Sequence, residues 1–416
     1  MTFRQLLLRS RDFRLDNKYL PLLQAIWGHQ GIARCELSRV MRLSRGTVSN
    51  NVSFLLDEGA VYEGQSVLPR GAGAGRNTIG LYVNPEFFYS VGISLGNGIY
   101  EAVLFNAAEE VLRREKLAFP EAGVGSGEAV LQELRSTIAH LLEGIDGHKV
   151  MVIGIAVTGI VDFTSGDVFF SALFSDCRDL NLKSFIREHF DLPCFLINIA
   201  HLAPVMEKKW GQASGMVDFV TVDDHASVGL YLNGSLYRGW QQHAGEMSYM
   251  KISDSREIAC DGRTGLIETA ISYEHLFARI REAIKGGARP KILEVMKEAT
   301  EPLSRQHLLQ ALELGDAFVE QLLVERYEAI AEGIVNLAYL LNPEAVFLPE
   351  WTSRFPHCTL DVVKRKMSSY GMRNWRLSTR ILSSGCPIAK LPHGIANQAM
   401  EMIFDKALSN SRPEIL

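Results

Sequence analysis

The chain has 416 residues, of which 47% are hydrophobic and 22% charged, and its formal net charge is −5. That length predicts two or three domains, and the composition excludes wholesale disorder. No apolar run reaches the roughly 18 residues of a spanning helix, and the opening MTFRQLLLRSRDFR is too short in apolar residues for a secretory signal. The six cysteines form no C-x-x-C pair, which argues against a disulfide framework; the expected setting is the reducing cytoplasm, with no membrane partner.

The charge is unevenly spread. Residues 1–84 carry 11 Lys and Arg against 6 Asp and Glu, while the other 332 carry 32 against 42. A basic head on an acidic body fits a small module that meets nucleic acid, or else a solvated basic arm.

The local pattern favours the first. Asn17 to His29 carries a helical stripe of Leu20, Leu23, Ile26 and Trp27. A second short helix follows, with Leu37 and Val40 expected inward and Leu43 closing a turn. Ser44 then reads as the N-cap of a third helix, LSRGTVSNNVSFLLDEG. Val48, Val52, Leu55 and Leu56 take one side of it, and Gly46, Asn50 and Ser53 the other, flanked by Thr47 and Ser49. A face of small and amide residues opened by Arg45 suits a major groove, because Arg and Asn read base edges bidentately and Gly46 admits close backbone approach. A generic three-helix bundle with a polar face is the plainer reading. After Gly59, AVYEGQSVLPRGAGAGRNTIGLYVN reads as two strands around a glycine-rich tip flanked by Arg70 and Arg76, which are placed to touch phosphate or the minor groove. The tip lacks the helix and Lys-Ser/Thr of a P-loop. Residues 1–84 are therefore expected to form a winged helix-turn-helix.

From Pro85 the character changes. FYSVGISLGNGIYEAVLFN and DFVTVDDHASVGLYLNGSLYRG read as hairpins, VMVIGIAVTGIVD and CFLINIA as buried strands, and Phe318 to Leu341 as a long helix stopped by Asn342-Pro343. The two hairpins, spaced like the phosphate loops of a two-lobed α/β fold, form a weak internal repeat. The expectation is an α/β body over 85–416, with lobes at approximately 85–200 and 201–390, a cleft between them, and a C-terminal helix closing the body.

Several segments, in order, resemble the ROK family (repressors, open reading frames and kinases), specifically its winged-helix regulators: GISLGNGIYEAVLFN, GIAVTGIVD, LPCFLINIAHLAPVMEKKWG, NGSLYRGWQQHAGEMSYM, CDGRTGLIE and LLNPEAVFL. The resemblance implies an actin-like, sugar-kinase-type body assembled as homodimers or homotetramers. It also implies a catalytic Asn-Asp pair, yet here Asn198 is followed by Ile199, which accepts no proton; losing a positioned base typically costs ~10²–10⁴ in rate. The first phosphate loop has Ser94 in place of an acid, with Gly96, Asn97 and Gly98 kept, and the second reads Asp223-Asp224-His225-Ala226-Ser227-Val228-Gly229 where the family has a Gly-Thr-Gly cradle. Two carboxylates aimed at a triphosphate oppose it. The family's Gly-Gly nucleotide contact reads Pro349-Glu350, and the positions of its zinc ligands read Tyr249, Ala259, Asp261 and Leu266, with Cys260 out of register and Gly262 and Gly265 marking the loop.

The expectation is thus no enzyme, no metal and no cofactor. The sugar contacts implied by the resemblance fall on Gly159, Asn198, Glu246 and Glu268, with Tyr249 in place of a histidine. The expected role is a DNA-binding repressor of a double-stranded operator whose body senses a sugar, sugar phosphate or other sugar-derived metabolite. Arg45, Gly46, Thr47, Ser49, Asn50, Arg70 and Arg76 are its expected DNA contacts. Control by a protein partner, and an active sugar kinase, are the alternatives.

Overall fold

Leucine-rich helical spacing gives α1 (Leu20–Gly28), which buries Leu20, Leu22, Leu23, Ile26 and Trp27 and has a proline in its first turn. The computed structural model describes residues 19–67, 78–96, 99–117, 127–170, 180–252, 263–296, 302–370 and 378–408. The chain divides into two units, residues 1–199 with 389–416 and residues 200–388.

In the first unit, β1 (Ile32–Ala33) leads into α2 (Arg34–Val40), then α3 (Arg45–Asp57) and the antiparallel pair β2 (Val61–Val67) and β3 (Thr78–Val83). The small sheet runs β1-β3-β2. Leu37 is buried, but Val40 is 55% exposed, against expectation. It is the last residue of a seven-residue helix, and the turn beyond is held instead by the Ser38 hydroxyl donating to the Leu43 carbonyl at 2.7 Å.

The larger sheet of this unit is built from β4 (Tyr89–Gly96), β5 (Ile99–Asn106), β6 (Val111–Lys116), β7 (Val150–Val157) and β10 (Cys194–Asn198), in the order β10-β7-β4-β5-β6. Between these strands lie α4 (Gly127–Leu141), the small pair β8 (Ile160–Val161) and β9 (Val168–Phe170), and α5 (Leu182–Phe190). Strands β10, β7 and β4 are parallel, and all eight residues of β7 are buried, the pattern of a parallel strand covered on both faces. Leu134, Ile138, Leu182 and Ile186 of α4 and α5 belong to the same apolar core as the strand residues Val91, Ile153 and Ile155.

The second unit takes up the chain along α6 (Ile199–Trp210) and continues through β11 (Phe219–Val222), β12 (Val228–Leu232) and β13 (Ser235–Tyr237). Five helices follow, α7 (Ile267–Ile271), α8 (Tyr273–Lys285), α9 (Ile292–Val295), α10 (Arg305–Glu313) and the 25-residue α11 (Ala317–Leu341). Then come β14 (Ala345–Leu348), α12 (Leu360–Ser369) and β15 (Arg380–Ser383). Its sheet order is β13-β12-β11-β14-β15, with β11, β14 and β15 parallel. Counted within each unit the order is the same, so the two hairpins of the sequence open two copies of one topology. Asp316 caps α11 by accepting from Phe318 and Val319, and Asn342 ends it in the left-handed conformation at φ 47°, where Asn is tolerated better than branched residues.

Finally α13 (Leu391–Leu408) returns to the first unit. It lies directly on Gly92 and Gly154, which face each other across β4 and β7. A Cβ at Gly92 would fall 1.8 Å from the Pro392 carbonyl oxygen, and one at Gly154 2.8 Å from that of Ile395. The far end of α13 enters the core of the basic head. There Phe404 packs against Trp27 (ring centroids 5.4 Å) and Phe88 (6.3 Å), and Gln24 donates to Asp405 at 3.1 Å. Phe404 is fully buried, so Phe404→Ala should lower stability by ~3–5 kcal/mol through lost burial and an unfilled cavity. Urea unfolding followed by circular dichroism checks this; a loss below ~1 kcal/mol would show that the head core does not depend on this helix.

Candidate functional site

Three groups of residues carry the chemistry. The first is the outer face of α3. Ser44 caps the helix, its hydroxyl accepting from the Thr47 amide at 3.1 Å and meeting the Thr47 hydroxyl at 2.8 Å. No acidic residue stands in the first turn of α3, so the positive helix end is left for an anion. Arg45, Gly46, Thr47 and Asn50 are exposed, while Val48, Val52 and Leu55 are buried in the head core. Ser49 is half-buried and held by Arg34, which donates to its hydroxyl at 3.1 Å and pairs with Glu63 of β2 at 2.8 Å. Arg34 was not singled out from sequence; a basic residue opening α2 gives no signal of its partners across the fold. Arg70 and Arg76 lie outside the described residues.

The second group sits at the carboxyl ends of the parallel strands β4, β7 and β10, the edge where open α/β sheets bind ligands. Asn198 ends β10 and donates to the Gly159 carbonyl at 2.9 Å, so these two expected contacts meet. Ile199 is 2% exposed, and a Cβ at Gly96 would lie 3.0 Å from its Cδ1 and 2.1 Å from the Thr158 hydroxyl. An aliphatic side chain therefore packs against the first phosphate loop where the family's base belongs. Ser94 is fully buried. Asn97 and Gly98 lie outside the described residues.

The third group belongs to the second unit. Glu246 and Tyr249 stand on and beside the single turn Met247–Tyr249, and Glu268 on α7. The two segments run side by side: Lys251 bridges Leu266, Ile252 donates to the Gly265 carbonyl at 3.0 Å and Ile267 to that of Met250 at 3.1 Å. Gly333 of α11 makes room for both, since a Cβ there would sit 2.6 Å from Met247 Sδ and 2.7 Å from Ile267 Cδ1. The Arg263 guanidinium lies over the Tyr249 ring at 4.9 Å, a cation–π contact. The positions do not fit zinc: the ring of Tyr249 carries an arginine, and Leu266 is a buried aliphatic. Ala259, Cys260, Asp261 and Gly262 lie outside the described residues. Among the described residues no cluster of three or more His, Cys, Asp or Glu side chains could hold a metal.

The second phosphate loop departs from expectation. The Asp224 carboxylate is not aimed at a ligand but turned inward, 6% exposed, where it pairs with Arg305 and accepts from the Trp351 indole at 2.8 Å. Arg326, 1% exposed, donates to the carbonyls of Ile271 and Asp224 and lies 4.8 Å from the Tyr273 ring centroid. Arg326 Nη1 is buried without a hydrogen-bond partner among the described residues, so this cation is only partly matched by donors and charge. The legible signal was Arg326 itself, a charge at the core spacing of Leu322, Leu323, Tyr327 and Ile330.

The ROK family profile matches residues 90–384, and the chain belongs to the ROK family. The xylose repressor of Caldicellulosiruptor bescii is 26% identical over 354 residues, 84% of this chain and 86% of the relative. A solved ROK transcriptional regulator, a homolog of the E. coli MLC protein, aligns with a TM-score of 0.74 at 19% identity over 95% of this chain and 98% of its own. The ROK glucokinase from Streptomyces griseus, solved with glucose and AMPPNP, gives 0.64 at 21% identity over 75% of this chain and 99% of its own. Both structures show the fold: a mixed α/β, sugar-kinase-type body. Among the described residues no helix is long and apolar enough to cross a membrane.

Burial, then the neighbouring Asp223 charge, pushes the Glu246 carboxyl up to about 7. The folded state therefore holds this proton more tightly than the unfolded chain, and the group's contribution to stability falls as pH rises from the unfolded value near 4.5 to about 7. Glu246→Gln should consequently gain stability relative to the parent across that interval and hold the gain above it. Urea midpoints from pH 5 to pH 8 read this; a constant difference across the series would contradict the buried setting beside Asp223.

Proposed function

We propose that the chain is a DNA-binding transcriptional repressor whose ROK body senses a sugar or sugar-derived small molecule and transfers no phosphate. One observation carries the reading. Met151 and Val152 of β7, Phe87 and Phe88 before β4, and half-buried Phe195 of β10 belong to one apolar cluster with Leu20, Trp27, Leu37 and Val48 of the head. The same strands bear Asn198 and, just past β7, Gly159 at their opposite ends. At about 3.3 Å per residue, eight-residue β7 spans roughly 25 Å from the head core to the ligand edge. The xylose repressor relatives and the regulator fold support the same role, and buried Ile199 removes the base a kinase needs.

In this reading residues 1–84 form a winged helix-turn-helix with α3 in the major groove. Arg45 and Asn50 read bases, Gly46, Thr47 and Ser49 bring the helix close, and Arg70 and Arg76 reach backbone or minor groove. Gly159, Asn198, Glu246, Tyr249 and Glu268 contact the effector. Two copies present two heads to a two-fold operator, and ligand shifts the population between arrangements that bind DNA well or poorly. Typical couplings of ~1–3 kcal/mol alter operator affinity about 5–150-fold.

Arg45→Ala and Asn50→Ala should each flatten discrimination between a duplex selected from a random pool and a scrambled one by ~1–3 kcal/mol. Fluorescence anisotropy titrations measure this; unchanged binding in both variants would displace α3 from the groove.

A further inference from the structure

Arg34 opens α2, a position where a cation is out of place, because the first turn of a helix presents unpaired N–H groups and repels positive charge. Its ion pair with Glu63 does little to offset that, since the two side chains are 33% and 38% exposed and exposed pairs contribute little to stability. Ile32, Leu81 and Glu63 stand in register across β1, β3 and β2. The first two are buried, so Glu63 shares the inner face of the sheet. Arg34 Nη2 donates to Glu63 at 2.8 Å, and Nη1 donates to the Ser49 hydroxyl at 3.1 Å. One planar guanidinium therefore ties α2, α3 and β2 together through two separate nitrogens, a span that the single nitrogen of a lysine lacks.

The place of Ser49 on α3 gives that tie a direction. At about 100° per residue, Gly46, Asn50 and Ser53 centre the exposed face and Ser49 lies roughly 70° to one side, on the flank that meets Arg34. A helix with its side chains is about 10–12 Å across and the major groove about 12 Å wide. A helix lying in the groove thus has its flanks against the phosphate ridges and its centre against the bases. The Ser49 hydroxyl accepts from Arg34 and makes no other side-chain hydrogen bond among the described residues. A serine hydroxyl has one proton to give, and one that accepts from a cation gives it more readily. Phosphodiester oxygens are acceptors only, so the two match.

We propose that Arg34 is a positioning residue for DNA binding, which holds the Ser49 hydroxyl as a donor to a backbone phosphate and sets α3 against β2; this rests on the DNA-binding reading above. Ser49 then fixes the register at which α3 enters the groove, and Arg45 and Asn50 read bases from that seat. Arg34 itself stays with Glu63 and touches no phosphate.

Fluorescence anisotropy with the full-length protein tests this on a duplex selected from a random pool and on a scrambled one, at several KCl concentrations. The variants are Ser49→Ala, Arg34→Met and the two combined. Methionine keeps an unbranched apolar stem and removes every donor, and circular dichroism confirms that each variant is folded. If Arg34→Met does not fold, Arg34→Lys takes its place, since a lysine drawn to Glu63 also leaves Ser49 undirected. Ser49→Ala is expected to weaken binding to both duplexes by about tenfold, as loss of one hydrogen bond to a charged group does. The Arg34 variant should do the same, and the double variant should be no more than about twofold worse than either, because all three lose one contact. The slope of log affinity against log salt should keep the parent's value throughout, since no phosphate loses a cation. Losses that add in the double variant, or no loss in the Arg34 variant, overturn the positioning role. A slope shallower by about one in Arg34→Met makes Arg34 itself the phosphate ligand and overturns it too. A loss in Ser49→Ala confined to the selected duplex makes Ser49 a base reader, against the proposal. A folded parent that binds neither duplex at low salt removes the DNA-binding reading itself, and this inference with it.

Discussion

A helix backbone laid directly on two glycines is the contact on which the first unit depends. Gly92 and Gly154 are register partners, and together they clear a path for α13 that any side chain would block. A glycine inside a strand loses backbone entropy and packing surface, and here that loss is offset by an 18-residue helix seated on the sheet. The helix is held further along by Glu109, which accepts from Asn397 at 2.5 Å and meets His393 at 2.9 Å. Because Phe404 and Met400 then enter the same apolar cluster as Trp27 and Val48, the head does not have a core of its own. It shares one with the sheet, whose strand residues Met151, Val152 and Phe195 pack in the same cluster.

At two places where the resemblance puts kinase chemistry, this ROK chain carries packed side chains instead. Ile199 supplies packing where a base would supply a proton acceptor. The Asp224, Arg305, Arg326 and Trp351 group is costly to bury and would be more costly to break, since removing one member leaves an unmatched charge in an apolar setting. On either side of the segment 253–262, Lys251 bridges Leu266 and the Arg263 guanidinium lies over the Tyr249 ring.

Much of this was legible from residue order. The capped recognition helix, the two hairpins, the long helix and its Asn342 stop follow from local periodicity and terminator chemistry, which act within a few residues. The departures at Ile199 and Tyr249 were visible because a resemblance supplied the expected residue. What sequence did not reveal depends on contacts far apart along the chain. Asp223 and Asp224 look alike in sequence, yet one folds back onto its own turn and the other reaches Arg305 and Trp351. Val40 was placed inward by spacing alone, where a short helix end overrode it. The seating of α13 on Gly92 and Gly154 had no local mark beyond two glycines inside apolar strands.

In the proposed role one chain links a sugar to a DNA groove with no phosphate moved. Operator affinity measured by anisotropy at rising concentrations of a sugar that binds, with product analysis after incubation with ATP, tests it most directly. A saturable change of about 5–150-fold in operator affinity and no phosphorylated sugar are the expected results. A sugar that binds while operator affinity stays constant, or the appearance of sugar phosphate, would contradict it.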